Sequence, residues 1–163
     1  MPQTVSQDVG LIGVGTDHAG VRLKDEVLAH LREQGVRARN FGTDTEEPCD
    51  YPEVAIRLGE AVVDREVDRG VLVCGTGIGM SVAANKVRGV RAALCTTVAS
   101  ARLARTHNDA NVLVLPGRDG AVDDPLHIVD TWLRTPFSGA ERHVRRLAYI
   151  TAYDESRGRG RAP

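Results

Sequence analysis

The chain is poor in aromatic residues, with two Phe, three Tyr and one Trp among 163 residues, too few to stack the successive bases of a single strand. It has no excess of either charge. Its 21 Lys and Arg stand against 22 Asp and Glu, for a formal net charge of −1, so no global field draws in nucleic acid or an anionic membrane. Any anion it binds must be held locally. No apolar run approaches the roughly 20 residues needed to cross a bilayer, and the N-terminus has no basic stretch leading into an apolar one. The three cysteines, Cys49, Cys74 and Cys95, are odd in number and lack the CxxC or Cys/His spacing of a zinc site. These absences predict a cytoplasmic protein with reduced thiols and no metal, cofactor, nucleic acid or membrane partner.

What the chain does have is a regular alternation. Short β-branched or apolar runs begin at Leu11 (LIGVGT), Val36 (VRARNF), Val71 (VLVC), Val90 (VRAALC) and Asn111 (NVLVL). Between them lie segments of helical period, with Leu23, Val27, Leu28 and Leu31 on one apolar face and Val54, Leu58, Ala61 and Val62 on another. Leu126, Val129 and Leu133 mark a third face, and a polar helix is expected from about Gly139 to Asp154. Alternating strands and helices with short connections predict an α/β fold: one three-layer, Rossmann-like sandwich around five parallel strands, closed by a C-terminal helix. The whole chain, 1–163, reads as a single domain, with 1–8 and 156–163 as disordered tails.

Open sheets of this kind bind ligands at the carboxyl ends of their strands, and chemically capable residues fall there. Asp17 and His18 follow the first run, Cys74-Gly75-Thr76-Gly77 the third, and Pro116-Gly117-Arg118 the fifth. The glycines do not make a dinucleotide fingerprint, because the sixth place is Met80 when counted from Gly75 and His18 when counted from Gly13. Nor does a GK[ST] phosphate loop occur. What remains is a glycine-rich turn whose bare amides can hold an anion or a developing oxyanion, or simply a tight turn.

Cys74, at that turn, is either a small buried hydrophobe or a thiol activated by a helix start, which lowers its pKa from about 8.5. The second case predicts activity rising toward mildly alkaline pH. Cys95, inside an apolar run, reads as core and Cys49 as incidental. Asp17 and Asp50 are candidate helix caps as much as chemical groups, and His107-Asn108-Asp109 a candidate turn. Arg142 and Arg146 share a helix face, and with Arg118 they form a candidate grip for a phosphate dianion. Arg145 stands four residues from Glu141 and reads as its partner.

Taken in order, GTDHAG followed by Leu23-Lys24, DYP, CGTGIGMSVAANK, RTHNDANVLVLPGR, IVDTWL and ERHVRR resemble the type B ribose-5-phosphate isomerases, with relatives acting on allose 6-phosphate, galactose 6-phosphate and tetrulose phosphates. The likeness runs from about Val9 to Tyr153. It implies a metal-independent aldose–ketose isomerase working through a cis-enediol. One branch of that family uses a cysteine base at the position of Cys74, the other a glutamate six residues on. Met80 stands at that later position, so the chain resembles the cysteine branch.

By the same resemblance Thr76, Asp17 and His107 open the sugar ring, while Tyr51 and Asn108 bind hydroxyls. Gly75, Gly77 and Gly79 stabilise the enediolate, and His18, Arg118, Arg142 and Arg146 hold the phosphate. It further implies a homodimer with shared sites, His107 and Asn108 coming from the partner, and leaves tetramers open. Two alternatives remain at this stage. One is the same chemistry on a four- or six-carbon sugar phosphate, with residues 43–49 and 96–100 lining the sugar end. The other is a non-catalytic phosphosugar-binding module.

Overall fold

The computed structural model describes residues 9–158. Five runs rich in small and β-branched residues become β1 (Ile12–Thr16), β2 (Ala38–Asn40), β3 (Arg69–Cys74), β4 (Ala92–Leu94) and β5 (Val112–Pro116). Among the described residues they form one sheet, parallel throughout, in the order β2-β1-β3-β5-β4. A parallel sheet needs a crossover between strands and cover on both faces. The period of two along each strand supplies two apolar faces.

Ile12, Val14, Val71, Val73, Leu113 and Leu115 pack on one side with α1 (Val21–Glu33), α4 (Val98–Asn108) and α5 (Pro125–Arg134). Leu72, Cys74, Val112 and Val114 point the other way, into α2 (Tyr51–Val63) and α3 (Ile78–Ala84). The apolar faces expected of α1 and α2 are the buried ones, with Leu28 partly buried at the margin. Gly15 lets α2 press directly on β1, because a Cβ there would meet Val54 Cγ1 at 2.8 Å.

The C-terminal helix α6 (Glu141–Gly158) outruns its expected end. Residues 156–158, expected in a disordered tail, instead complete its last turn, where Ser156 Oγ donates to the Tyr153 carbonyl at 2.7 Å and Arg157 Nε to Tyr153 Oη at 3.1 Å. The other expected tail residues, 1–8 and 159–163, lie outside the described residues.

The topology selects one crevice. From β1 the chain moves outward to edge strand β2, while from β3 it passes over β5 to the opposite edge strand β4. The two adjacent strands thus send their connections apart, which opens the sheet at their carboxyl ends, the place where such folds bind ligands.

Candidate active site

Three loops meet at that crevice. Cys74 ends β3 opposite Pro116 of β5, and its carbonyl accepts the Gly117 amide at 2.8 Å. The Gly75 carbonyl accepts the Arg118 amide at 3.0 Å, tying the PGRDG loop to the cysteine turn. The loop after β1 closes the group: a Cβ on Gly75 would lie 3.6 Å from Ala19 Cβ, and one on Gly117 would lie 3.0 Å from Gly20 Cα. Thr16 Oγ1 donates to the Val73 carbonyl at 2.9 Å and so fixes β1 to β3 beneath them. Asp17, His18, Cys74, Gly75 and Arg118 therefore share one edge of the sheet.

The thiol of Cys74 sits at the end of the α2/α3 core, with the residue 5 % exposed. Met80 is wholly buried in the same core. Thr76 is exposed, its Oγ1 accepting the Ile78 amide at 3.3 Å. Gly77, at φ 77°, carries the turn into α3, where a Cβ would lie 2.5 Å from Leu94 Cδ1. Helix α3 has only seven residues. Its short dipole is a weaker source of positive potential than the expected helix start, and the amides of the turn itself become the main donors. Tyr51, first residue of α2, lays its ring over Gly79, where a Cβ would meet ring carbons at 2.8 Å.

Asp17 does cap the following turn, accepting the Ala19 amide at 2.9 Å. Asp50 stands at the N-cap of α2 without a side-chain cap bond. His18 Nδ1 accepts the Cys49 amide at 3.3 Å, which places the ring proton on Nε2 and gives Cys49's backbone a role its side chain lacks. Cys95 is core, as expected, and burial pushes its thiol up to about 11 against the opposing pull of a bond from Ser100.

Sequence reasoning named Lys24 in its motif set but gave it no role; its side chain on α1 is fully buried. Its ammonium donates to the Thr43 carbonyl at 3.0 Å and to Asp44, anchoring the loop that leads to Tyr51. That bond, with one from Asn40, holds the exposed Asp44 carboxyl below its ordinary range.

The remaining candidates lie elsewhere. Helix α4 runs back from the end of β4, so His107 and Asn108, its last residues, emerge where β5 begins, at the amino edge of the sheet. Both are exposed. Arg142 and Arg146 of α6 gather there, also exposed. Between them stands buried His143, its ring 4.3 Å from that of His107. Arg142 Nε donates to His143 Nε2 at 3.2 Å, so Nδ1 carries the proton and meets Ser138 Oγ at 2.9 Å. Arg145 and Glu141 form no ion pair among the described residues. One chain thus carries these two groups of candidate residues on opposite edges of its sheet.

A groove of about 550 Å³ opens along edge strand β4, away from Cys74, lined by Leu94, Cys95, Ser100, Leu103, Asn108 and Ile150 among others. Among the described residues no group of three or more His, Cys, Asp or Glu side chains is placed to hold a metal, and no helix is long and apolar enough to cross a membrane.

Comparison with known proteins agrees with this architecture. The sequence model of the family described as Ribose/Galactose Isomerase matches residues 12–150. Ribose-5-phosphate isomerase B of Escherichia coli is 45% identical over 146 residues, covering 90% of this chain and 97% of its own. The solved ribose-5-phosphate isomerase B of Clostridium thermocellum superposes with a TM-score of 0.86 at 46% identity, covering 90% of this chain and 98% of that one. A Mycoplasma genitalium enzyme of the same name, solved with bound ribulose-5-phosphate, gives a TM-score of 0.83 at 37% identity, covering 89% and 96%.

Proposed function

Because the chain belongs to the ribose/galactose isomerase family, we propose that it is an aldose–ketose isomerase interconverting ribose 5-phosphate and ribulose 5-phosphate, with Cys74 as the base. One observation carries the assignment of the base. Cys74 ends β3 in the crevice between diverging strands, while Met80, at the position of the alternative base, is buried with no titratable group to offer.

Ribose 5-phosphate arrives as a cyclic hemiacetal. A base takes the C1 hydroxyl proton, an acid protonates the ring oxygen, and the C1–O bond breaks to leave an aldehyde; Asp17, Thr76 and His107 serve this step. The Cys74 thiolate then takes the C2 proton. The C–H electron pair becomes the C1–C2 double bond, and the aldehyde oxygen receives the displaced pair and a proton, giving the cis-enediol. The thiol returns its proton to C1 as the C2 hydroxyl loses its own, leaving the ketone. Amides of Gly75, Gly77 and Gly79 face the developing oxyanion. Tyr51 and Asn108 hold hydroxyls, and His18, Arg118, Arg142 and Arg146 hold the phosphate, whose binding orients the reacting carbons.

This scheme needs both half-sites, which one chain does not bring together. The reading is therefore a homodimer in which His107, Asn108 and the α6 arginines of one copy complete the crevice of the other. Its surface supports this. Leu103 of α4 and Ile150 of α6, both exposed, line the β4 groove, and α6 further exposes Val144, Tyr149 and Tyr153, apolar side chains of the kind that mark an interaction surface. The three cysteines are free, which supports a reducing, cytoplasmic setting.

Ribulose 5-phosphate is acyclic at C1, so exchange of its C1 hydrogen with solvent needs the base but not ring opening. Cys74→Ala should fold, bind substrate, and lose both turnover and C1 deuterium uptake from heavy water by at least about a hundredfold. Native exchange in that variant would remove Cys74 from the mechanism.

A further inference from the structure

His107 and Asn108 must be presented outward to a second chain, yet they end a helix, where the last carbonyls lack intrahelical partners and the chain commonly frays. Here the next residue departs from the usual solution. Asp109 adopts φ 44° and ψ 45° at the C-cap of α4, a left-handed conformation that glycine takes without strain.

The carboxylate explains the choice. Asp109 Oδ1 accepts from Arg105 Nη1 at 2.8 Å and Oδ2 from Arg91 Nη2 at 3.2 Å. The same two guanidinium groups satisfy the loose carbonyls. Arg91 Nε donates to Asn108 and Asp109 at 3.1 Å each, and Arg105 Nη1 donates to Ala110 at 2.8 Å.

Both arginines are themselves fixed. Arg105 is buried, reaches the Thr135 carbonyl through Nε at 3.2 Å, and lies 5.9 Å from the Trp132 ring centre. The Arg91 amide donates to Asn111 Oδ1 at 2.7 Å. A plain helix cap needs none of this apparatus, whereas a rigid platform beneath two exposed polar side chains does.

We propose that Asp109, held by Arg91 and Arg105, is a positioning residue that fixes His107 and Asn108 for the site of the second copy. The proposal rests on the reading that His107 opens the sugar ring there. It predicts a selective defect, because ring opening suffers while proton transfer at Cys74 does not.

Asp109→Gly keeps the backbone conformation and deletes the carboxylate, and Asp109→Asn keeps one acceptor without the charge. With both variants folded and dimeric, kcat for ribose 5-phosphate should fall by about tenfold to a hundredfold in Asp109→Gly and less in Asp109→Asn. At saturating ribulose 5-phosphate, C1 deuterium uptake should stay within about twofold of native, since it bypasses the ring and loosened Asn108 contacts raise only KM. His107→Asn should show the same split more strongly. A general loss, with exchange falling in step with turnover, would overturn the positioning role, and so would native turnover in Asp109→Gly while His107→Asn is impaired. Native turnover in His107→Asn would instead refute the ring-opening reading, and the proposal with it.

Discussion

His143 shows how a single buried side chain joins the two tasks of its half-site. Its ring packs on His107 and its Nε2 accepts from Arg142, so one imidazole orients both the group proposed for ring opening and a group proposed for the phosphate. Loss of hydration holds its pKa below the ordinary histidine range, and the neighbouring His107, Arg142 and Arg146 push the same way, against a hydrogen bond to the Thr106 backbone. The fold therefore selects the neutral ring. Above the unfolded value of about 6.5 this costs nothing; as the pH falls below it, the unfolded chain takes up a proton that the native ring resists, and stability declines.

The urea midpoint of the native protein should accordingly drop further between about pH 7.5 and about pH 5.5 than that of His143→Gln. Equal drops would assign the acid sensitivity to other groups. Reading the sequence separated Cys95 from Cys74 by their places in and after an apolar run, and the burial of Cys95 agrees. Lys24 was quoted in the motif set without a role, because only the folded 43–44 segment reveals its carbonyl and carboxylate partners.

Strands and long helices were legible because strands buried on both faces read as short continuous apolar runs, while the helices carry a period of 3.6. The order of strands was not, since pairing is non-local. The turn at Gly77 is where local geometry is least negotiable. Alanine there faces both a left-handed φ and a contact of 2.5 Å with Leu94 Cδ1, with the Leu115 backbone carbon at 3.2 Å behind it. Gly77→Ala should cost about 1–3 kcal/mol in thermal or urea unfolding and reduce kcat through the displaced amides. An unchanged midpoint would mean that the turn relaxes freely. Helix α4 illustrates the opposite limit, because its C-terminal end depends on Arg91, distant in sequence, and on an aspartate that looks like an ordinary turn residue.

At the scale of the whole molecule, the structure sets His107-Asn108 on the edge of the sheet away from Cys74. No rearrangement within one chain is needed to explain it. The proposed homodimer would lay a second copy along the β4 groove and α6, where Leu103, Ile150 and Tyr153 are exposed, each chain giving and receiving the same residues, as a two-fold interface requires.

Mixing two inactive proteins tests this directly. Cys74→Ala and His107→Asn, unfolded together and refolded, should pair at random, so that half the dimers are mixed and each mixed dimer holds one intact site. Roughly a quarter of native ribose 5-phosphate turnover should return. Activity no greater than the average of the two parents would contradict a site shared between chains.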